Sequence, residues 1–255
     1  LFRSMMILTT TLSKNISIII TAAGSSTRIG CGIKKEYIPF QNGTALSTCV
    51  KTFLNTLSKS YKISNLIVTT PVNGIEESKK AVYTDTEISE IEKHLKLTIQ
   101  FVEGGNTRQS SVYNGLNKIF QSSSPCDFVL IHDGARPFVS ENIILNSLKA
   151  SIDFGASVPG ISPTDTQKQI SKDGFIERHL ERNLLVSVQT PQCFEFSKLF
   201  HAHKKAISDN KEYTDDTEIW GKYCGPVKVV PGDANNIKIT YPSDLEKLKI
   251  WLELA

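Results

Sequence analysis

Residues 16–26 read ISIIITAAGSS, a β-branched run that passes directly into five small residues. The continuous apolar run Ile16–Thr21 is typical of a strand that is buried on both faces, as in a parallel sheet. The small residues after it let a ligand approach the backbone closely. In open α/β sheets, ligands bind at the carboxyl ends of the strands. The stretch therefore predicts the first strand of an α/β fold and a ligand-binding loop at its end.

Further apolar runs of the same kind follow at Leu66–Thr70, Thr98–Val102 and Asp127–Ile131. Between them, Thr48–Leu57 and Ser110–Phe120 each place apolar residues on one helical face, and on the second helix we expect Phe120 to lie on this buried face. Strands that alternate with helices predict a parallel sheet with right-handed crossovers. The predicted fold is α/β, an open, mostly parallel twisted sheet flanked by helices. We expect a single domain over residues 16–255, preceded by an N-terminal extension over residues 1–15.

One polar segment, residues 164–188, departs from this pattern. It contains Asp173-Gly174, a strong turn signal, between the segments 167–170 and 175–176. This arrangement predicts a β-hairpin arm that protrudes from the domain. Isolated hairpins are rarely stable without something to pack on. We therefore expect the arm to clasp a second copy of the chain in a homodimer.

The composition excludes several classes of partner. The 255 residues carry a net charge of +3, which is too weak to indicate nucleic-acid binding. No apolar stretch approaches membrane-spanning length, and the first residues lack the features of a signal peptide. The five cysteines are scattered without CxxC spacing, as expected for reduced thiols. We expect no nucleic-acid partner, no membrane association and a cytoplasmic location, or a plastid-type organelle in a eukaryote.

Two cations accompany the first loop, Arg28 and Lys35. Arginine offers a planar fork of donors and lysine a compact charge, and both suit phosphate groups. The loop matches neither GxGxxG nor GxxxxGK[ST], which disfavours an NAD-dependent oxidoreductase and a Walker-type site. The first loop is therefore a candidate phosphate-binding loop of another type.

Two more loops follow predicted strands. Residues 104–111 contain two glycines, an asparagine and serines, which can approach and hydrogen-bond a base or a ribose. Asp133 ends the fourth apolar strand, where it supplies the hard oxygen that Mg²⁺ on a triphosphate needs. Arg136 can pair with Asp133 or with a substrate phosphate. His132 is interpreted as a neutral structural imidazole rather than a base.

These motifs occur in order from about Ile18 to Leu248, together with later ones. They comprise Ala22-Ala23-Gly24, Arg28, Lys35-Glu36-Tyr37, Gly104-Gly105, Arg108-Gln109, Ser111-Val112, His132-Asp133-Gly134-Ala135-Arg136-Pro137, Gln189-Thr190-Pro191-Gln192 and Asn236-Ile237-Lys238-Ile239-Thr240. The combination resembles the 2-C-methyl-D-erythritol 4-phosphate cytidylyltransferases of non-mevalonate isoprenoid synthesis. The resemblance implies a Rossmann-like nucleotidyltransferase fold and the transfer of CMP from CTP to this polyol phosphate, with release of pyrophosphate.

The resemblance also implies residue roles. The catalytic cations would be Arg28, Lys35 and Lys238. CTP would be held by Ala22, Ala23, Gly24, Gly105, Asn106 and Ser111. The acceptor side would comprise Asp133, Arg136, Thr166, Arg182 and Thr190, in part from the arm of the neighbouring subunit. Mg²⁺ is the implied cofactor, and Asp133 would lie near it.

Two alternatives share parts of this pattern. A ribitol 5-phosphate or other polyol-phosphate cytidylyltransferase would use the same fold. Here the small pair Gly134-Ala135 precedes Arg136, as in the methylerythritol enzymes, whereas the ribitol enzymes tend to carry Ser-Val there. Lys168, two residues after Thr166, agrees with this choice. A non-catalytic nucleotide-binding regulator is disfavoured, because the charged residues of the motifs occur together, namely Arg28, Lys35, Asp133 and Lys238.

Overall fold

The computed structural model describes residues 14–26 and 33–246. The strands are β1 (Asn15–Thr21), β2 (Pro39–Phe40), β3 (Gly43–Thr44), β4 (Lys62–Thr70), β5 (Ile99–Glu103), β6 (Phe128–Asp133), β7 (Ala156–Ile161), β8 (Lys168–Ile170), β9 (Ile176–His179), β10 (Ser187–Val188), β11 (Gln192–Glu195) and β12 (Lys228–Pro231). The α-helices are α1 (Ala45–Leu57), α2 (Ile75–Tyr83), α3 (Glu87–Leu95), α4 (Arg108–Phe120), α5 (Glu141–Phe154), α6 (Phe196–Ser208) and α7 (Asp216–Tyr223). Each predicted apolar run lies on one of these strands.

The main sheet has the strand order β10-β7-β11-β6-β1-β4-β5, and β12 pairs with β7. Strand β1 runs parallel to both β4 and β6, and β4 runs parallel to β5. Strand β11 runs antiparallel between β6 and β7. The chain first builds outward from β1 through β4 to β5 and then returns to place β6 on the other side of β1. The carboxyl ends of β1 and β6, where Thr21 pairs with Asp133, therefore form the topological switch point of the sheet.

Strand β1 is buried on both faces, as its apolar run predicts. Ile18 and Ile20 pack in one hydrophobic cluster with Phe53 of α1. Ile19 points to the opposite face and packs with Leu116 of α4. Because successive side chains of a strand alternate between faces, an unbroken isoleucine run serves two cores at once. The helices cover both faces of the sheet, and the predicted α/β architecture is confirmed.

Helix α4 begins two residues before the predicted start. Thr107 and Ser110 form a reciprocal capping box that fixes this start directly after the second loop. At the other end, Phe120 was predicted on the buried face but is 59% exposed. It is the last residue of the helix and stacks on Phe200, with ring centroids 4.5 Å apart, at the edge of the core.

The predicted hairpin is present in residues 164–188. Strands β8 and β9 pair antiparallel, and Gly174 adopts φ +86°, a left-handed conformation that glycine accommodates without strain. The last residues of the segment return to the domain, because β10 pairs with β7 at the edge of the main sheet. The arm therefore joins the edge of the main sheet at its base.

The predictions on membrane spans and on the N-terminal extension can be compared only with the residues that the structure describes. Within residues 14–26 and 33–246, no helix has the length and apolarity to cross a bilayer. Residues 1–13 lie outside the described ranges, and β1 begins at Asn15, at the end of the predicted extension. The division into an extension and one domain stays a prediction.

Candidate active site

A cleft of about 490 Å³ opens at the switch point, where the loops after β1, β5 and β6 meet. Both small-residue loops and the end of β6 contribute to its wall. The predicted site residues that line it are Ala23, Gly24, Lys35, Gly105, Asn106, Ser111, Asp133 and Lys238. The fold thus brings together residues that lie more than 200 positions apart in the sequence.

Asp133 is the electrostatic centre of the cleft. Its Oδ2 lies 2.8 Å from Lys238 Nζ and 3.5 Å from Arg136 Nε. Its Oδ1 accepts a hydrogen bond from the Thr21 hydroxyl at 3.3 Å and lies 3.9 Å from Arg108 Nε. Burial alone would raise the pKa of this carboxyl, but Lys238, Arg108 and Arg136 together hold the pKa well below its usual range. Asp133 is therefore a carboxylate at any pH at which the protein works.

His132 lies behind Asp133 and does not face the cleft. It is fully buried, its Nε2 donates to the Arg136 carbonyl at 3.2 Å, and its Nδ1 accepts from the Thr190 hydroxyl at 2.9 Å. Burial lowers the pKa of this imidazole to about 4, so the ring is neutral at neutral pH. The interpretation of His132 as a structural imidazole is confirmed.

Lys35 enters the cleft from a short 3-10 turn, Lys35–Tyr37. The turn is anchored by Glu36, which is buried and accepts from the Ser26 hydroxyl at 3.2 Å. The same hydroxyl accepts from the Lys35 amide at 3.3 Å, so the turn is tied to the first loop. Arg28 lies outside the described residues, and its predicted role stays a prediction.

The second loop packs tightly against the first. A β-carbon added at Gly104 would lie 2.4 Å from the Ala23 β-carbon and 2.6 Å from Ser111 Oγ, so only glycine fits there. Ser111 Oγ accepts from the Gly105 amide at 3.1 Å and donates to the Thr107 carbonyl at 2.8 Å. The serine therefore shapes the loop as well as lining the cleft. Because the side chains are small, the two loops form one continuous wall.

Two predicted ligand residues lie beneath the cleft rather than on its surface. The Ala22 amide donates to the Thr69 carbonyl at 3.1 Å, and Ala22 is buried. Thr190 is also buried, and its hydroxyl accepts from the Asp133 amide at 3.1 Å. The Ala22 amide and the Thr190 hydroxyl thus position β1 and Asp133, and the predicted contact of both residues with ligand stays a prediction.

Three other predicted residues take different places. Arg136 is held between Asp133 and the Asn236 carbonyl, to which its Nη1 donates at 2.7 Å, and it does not line the cleft. Thr166 and Arg182 lie exposed on the arm, where Arg182 Nη1 donates to the Thr164 carbonyl at 2.9 Å. The single chain therefore does not place the two arm residues in the wall of its own cleft.

Arg108 lines the cleft but was not assigned a role from the sequence. Its Nη1 donates to Asp216 Oδ2 at 2.7 Å, while its Nε faces Asp133. The arginine was part of the second-loop motif, and that motif was the available signal. Its direction could not be inferred from the motif, because the partner that fixes it lies 108 residues further along the chain.

The carboxylates of the cleft wall are Asp133 and Glu36. Among the residues that the structure describes, no three His, Cys, Asp or Glu side chains cluster closely enough to hold a metal ion. A cleft-wall carboxylate such as Asp133 fits a divalent cation that shares its coordination with phosphate groups of a ligand. The donor set does not form an all-protein cage.

An open α/β sheet with a cationic cleft at its switch point, walled by two loops of small residues, is typical of Rossmann-like proteins that bind anionic nucleotides. The family model for IspD, 2-C-methyl-D-erythritol 4-phosphate cytidylyltransferase, matches residues 16–253. A protein of that name from Clostridium novyi is 40% identical over 234 residues, which cover 92% of this chain and 94% of the relative. The chain therefore belongs to the 2-C-methyl-D-erythritol 4-phosphate cytidylyltransferase family.

Solved structures agree with this assignment. The 4-diphosphocytidyl-2C-methyl-D-erythritol synthase of Anaerococcus prevotii is 28% identical with a TM-score of 0.75, over 94% of this chain and 96% of that one. The 2-C-methyl-D-erythritol 4-phosphate cytidylyltransferase of Thermus thermophilus is 27% identical with a TM-score of 0.71, over 94% and 99%. The predicted family, fold class and enzymatic activity are confirmed: the chain is a cytidylyltransferase of isoprenoid precursor synthesis.

Proposed function

We propose that the cleft at the β1/β6 switch point binds CTP and transfers its CMP group to 2-C-methyl-D-erythritol 4-phosphate. One observation carries the proposal: Lys35, Arg108 and Lys238 converge on a single cleft that two small-residue loops wall. Cations around a cleft concentrate an anionic ligand and stabilise its charge. The three cations outnumber the two cleft-wall carboxylates, Asp133 and Glu36. The remaining positive charge is available to neutralise the negative charge of a triphosphate and a phosphorylated acceptor.

The division of the cleft follows from the types of its groups. Gly105 and Asn106 offer peptide and amide groups, which suit the base and ribose. Lys35 and Lys238 offer ammonium groups, which suit the phosphates. We assign cytidine to the second loop and the triphosphate to the first loop. Arg28, predicted from the sequence, would join Lys35 on the phosphates.

The reaction needs no base from the protein. A phosphate oxygen of the acceptor forms a bond to the α-phosphorus of CTP, and the bond from that phosphorus to the bridging oxygen of the β-phosphate breaks. The electron pair leaves with pyrophosphate, and the product is 4-diphosphocytidyl-2-C-methyl-D-erythritol. Because a phosphate monoester has its second pKa at about 6, the attacking oxygen is already ionised at neutral pH. The protein contributes orientation and fixed positive charge.

Asp133 is the residue that would hold Mg²⁺, together with the phosphates of CTP. Its Oδ1 is engaged by a hydroxyl and by a guanidinium 3.9 Å away, which are weaker contacts than the Lys238 ion pair on Oδ2. When bound, the ion neutralises triphosphate charge. Thr190 and Arg136 then act indirectly in this proposal, because they fix the backbone and the carboxylate of Asp133.

The arm is proposed to pair with a second copy of the chain. Phe175 is 76% exposed and Leu184 is 75% exposed, and Ile170 and Ile176 are exposed beside them. Apolar side chains grouped on a protruding element are typical of a surface that a partner covers. Dimer formation would bring Thr166 and Arg182 of one chain toward the cleft of the other, where they could hold the acceptor phosphate.

Direct binding of CTP tests the assignment of the cleft. Isothermal calorimetry with wild-type protein should give saturable CTP binding, and Lys35→Met should weaken it because a phosphate contact is lost. Lys59→Met is the matched control, since Lys59 forms an exposed pair with Glu141 on α5. Equal CTP affinity for wild type and Lys35→Met would overturn the assignment.

A further inference from the structure

The Lys238 loop, residues 232–239, follows β12 and has an irregular backbone. At its start, the Gly232 amide donates to a carbonyl of β7 at 2.9 Å, next to the pairing of β12 with β7. The loop then leaves the sheet, yet Asp233 is partly buried and Asn236 is fully buried. Backbone groups that are removed from water need hydrogen-bond partners. These two residues therefore need partners outside the sheet ladder.

Gln189, the residue directly after β10 at the root of the arm, provides these partners with a buried side chain. Its Oε1 accepts from the Asp233 amide at 3.2 Å, and its Nε2 donates to the Asp233 carbonyl at 2.8 Å. The same Nε2 lies 3.4 Å from the Asn236 carbonyl. One side-chain amide thus pairs with both backbone groups of Asp233, as a neighbouring antiparallel strand would. Gln189 is itself fixed to β7, because its backbone amide donates to the Pro159 carbonyl at 2.7 Å.

The backbone on either side of Lys238 is held by further contacts. Asn236 Nδ2 donates to the Thr190 carbonyl at 3.0 Å, inside the protein. On the other side, the Ile239 amide donates to the Ala135 carbonyl at 2.9 Å, and the Ile239 side chain is fully buried. Lys238 therefore extends from a backbone that is fixed two residues before it and one residue after it.

We propose that Gln189 is a positioning residue that fixes the Lys238 loop and thereby places the Lys238 ammonium group in the cleft, 2.8 Å from Asp133 Oδ2. A lysine side chain is flexible, so the place of its charge depends on the backbone from which it extends. A displacement of about 1 Å in an oriented active site lowers the rate by up to about 100-fold. This inference rests on the proposed function, in which Lys238 contacts the phosphates.

Gly232 allows the contact between Gln189 and the loop to be disturbed from the other side. A β-carbon added at Gly232 would lie 2.6 Å from Gln189 Oε1 and 3.1 Å from the backbone carbonyl carbon of Gly160. The backbone of Gly232 is outside the left-handed region, so alanine adds no strain of its own there. The variant Gly232→Ala therefore pushes the loop and the Gln189 amide apart while both polar residues remain present.

A double-mutant cycle read out by steady-state kinetics tests the proposal, with CTP, Mg²⁺ and 2-C-methyl-D-erythritol 4-phosphate. Gln189→Met keeps the length of the side chain and removes its amide, and it should lower kcat by about tenfold or more. KM for CTP should change less than kcat, because the contacts proposed for cytidine lie on the second loop. The double variant Gln189→Met, Lys238→Met should be no slower than Lys238→Met alone, because Gln189 acts through Lys238. Gly232→Ala should lower kcat as well.

Thermal unfolding measured beside the kinetics separates positioning from structural support. Asn65→Leu is the matched control, since Asn65 is also a buried amide, and it donates to Ser17 Oγ at 3.0 Å in the amino-terminal half of β4. The cleft lies at the opposite, carboxyl ends of the strands. The control variant should lower Tm, because a buried hydrogen bond is lost, and leave kcat unchanged.

The same kinetics distinguish this inference from the proposed function. Unchanged kcat in folded Gln189→Met, or effects of Gln189→Met and Lys238→Met that multiply in the double variant, would overturn the positioning role. If Gln189→Met does not fold, unchanged kcat in Gly232→Ala would overturn it. If Lys238→Met turns over as fast as wild type, the proposed role of Lys238 fails and the inference fails with it. If Lys238→Met is slow while Gln189→Met and Gly232→Ala are not, the positioning role alone is wrong.

Discussion

The cleft and the arm differ in how many of their side chains find partners within one chain. In the cleft, Asp133 contacts Lys238, Arg136 and Thr21, and the residues beneath it are hydrogen-bonded to one another. On the arm, β8 and β9 are exposed along their whole length. The cleft is an extension of the core, whereas the arm is a surface element that exposes apolar groups to water.

This difference indicates which parts of the enzyme one chain completes. The proposed nucleotide half is built from loops anchored on β1, β5 and β6, so its geometry is fixed by the fold of a single chain. The proposed acceptor half draws on Thr166 and Arg182, which are exposed in the single chain. We therefore expect changes in the cleft to act on turnover and nucleotide affinity, and changes on the arm to act on assembly.

The largest effect should come from removing a cation of the cleft. Lys35→Met should lower kcat by about 10²-fold or more, because its contact with phosphate strengthens as pyrophosphate leaves. Arg28→Met is expected to do the same. Steady-state kinetics at saturating CTP provides the measurement, with Lys59→Met as the surface control. Near-normal turnover in both variants would show that the first loop does not hold the reacting phosphates.

A pH titration of stability should separate the buried layer under the cleft from the exposed arm. The pKa of His132 is about 4 in the folded chain, below its unfolded value of about 6.5, so the unfolded state binds more protons between these values. This stabilisation is complete above pH 6.5 and is lost as pH falls toward 4. The free energy of unfolding of wild type, measured with urea, should fall by about 2 kcal/mol between pH 7 and 5 because of this residue.

The variant His132→Gln has no titrating group at this position, so its unfolding free energy is the reference for the pH dependence of the wild type. The difference in unfolding free energy between wild type and variant should shrink as pH falls. A difference that is constant from pH 7 to 5 would show that His132 titrates as it does in the unfolded chain, and the described burial would then be incorrect.

The contact between the two loops should be sensitive to a single methyl group. Gly104→Ala would place a β-carbon 2.4 Å from that of Ala23, so the loops must separate. We expect KM for CTP to rise about tenfold, in line with the usual cost of overpacking. Gly221→Ala on α7 is the control, because an added β-carbon meets nothing within 4 Å there. Unchanged CTP kinetics in Gly104→Ala would remove the second loop from the nucleotide site.

Changes on the arm should have the smallest effect on the stability of the single chain. Replacing both Phe175 and Ile176 by serine should alter its unfolding free energy by less than about 0.5 kcal/mol, because the side chains are exposed. The same variant should shift the species seen by light scattering from dimer to monomer. Replacing residues 166–177 by a short linker should do so completely. A wild-type protein that is monomeric would contradict the role of the arm.

The sequence predicted the elements whose causes are local. The isoleucine run of β1 and the turn Asp173-Gly174 each carry their own signal, since a strand needs apolar residues and a tight turn needs glycine. Both appear where they were predicted. Phe120 was misplaced because helical periodicity identifies a face but not where the core ends along the helix.

The roles that could not be predicted depend on distant partners. Thr190 positions Asp133 from 57 residues away, and Asp216 directs Arg108 from 108 residues away. A motif shows which residue types are present, but the direction of a side chain depends on packing between separate segments. The family resemblance identified the reaction, and the three-dimensional contacts were needed to separate Lys35 and Lys238, which line the cleft, from the residues beneath it.

The most direct test of the central claim is pyrophosphate release with CTP, Mg²⁺ and two acceptors. We expect release to require an acceptor, with kcat/KM for 2-C-methyl-D-erythritol 4-phosphate at least about tenfold above that for ribitol 5-phosphate, since pockets separate similar groups by about 1–3 kcal/mol. The product should be 4-diphosphocytidyl-2-C-methyl-D-erythritol. A ratio that favours ribitol 5-phosphate, or pyrophosphate release without any acceptor, would contradict the account.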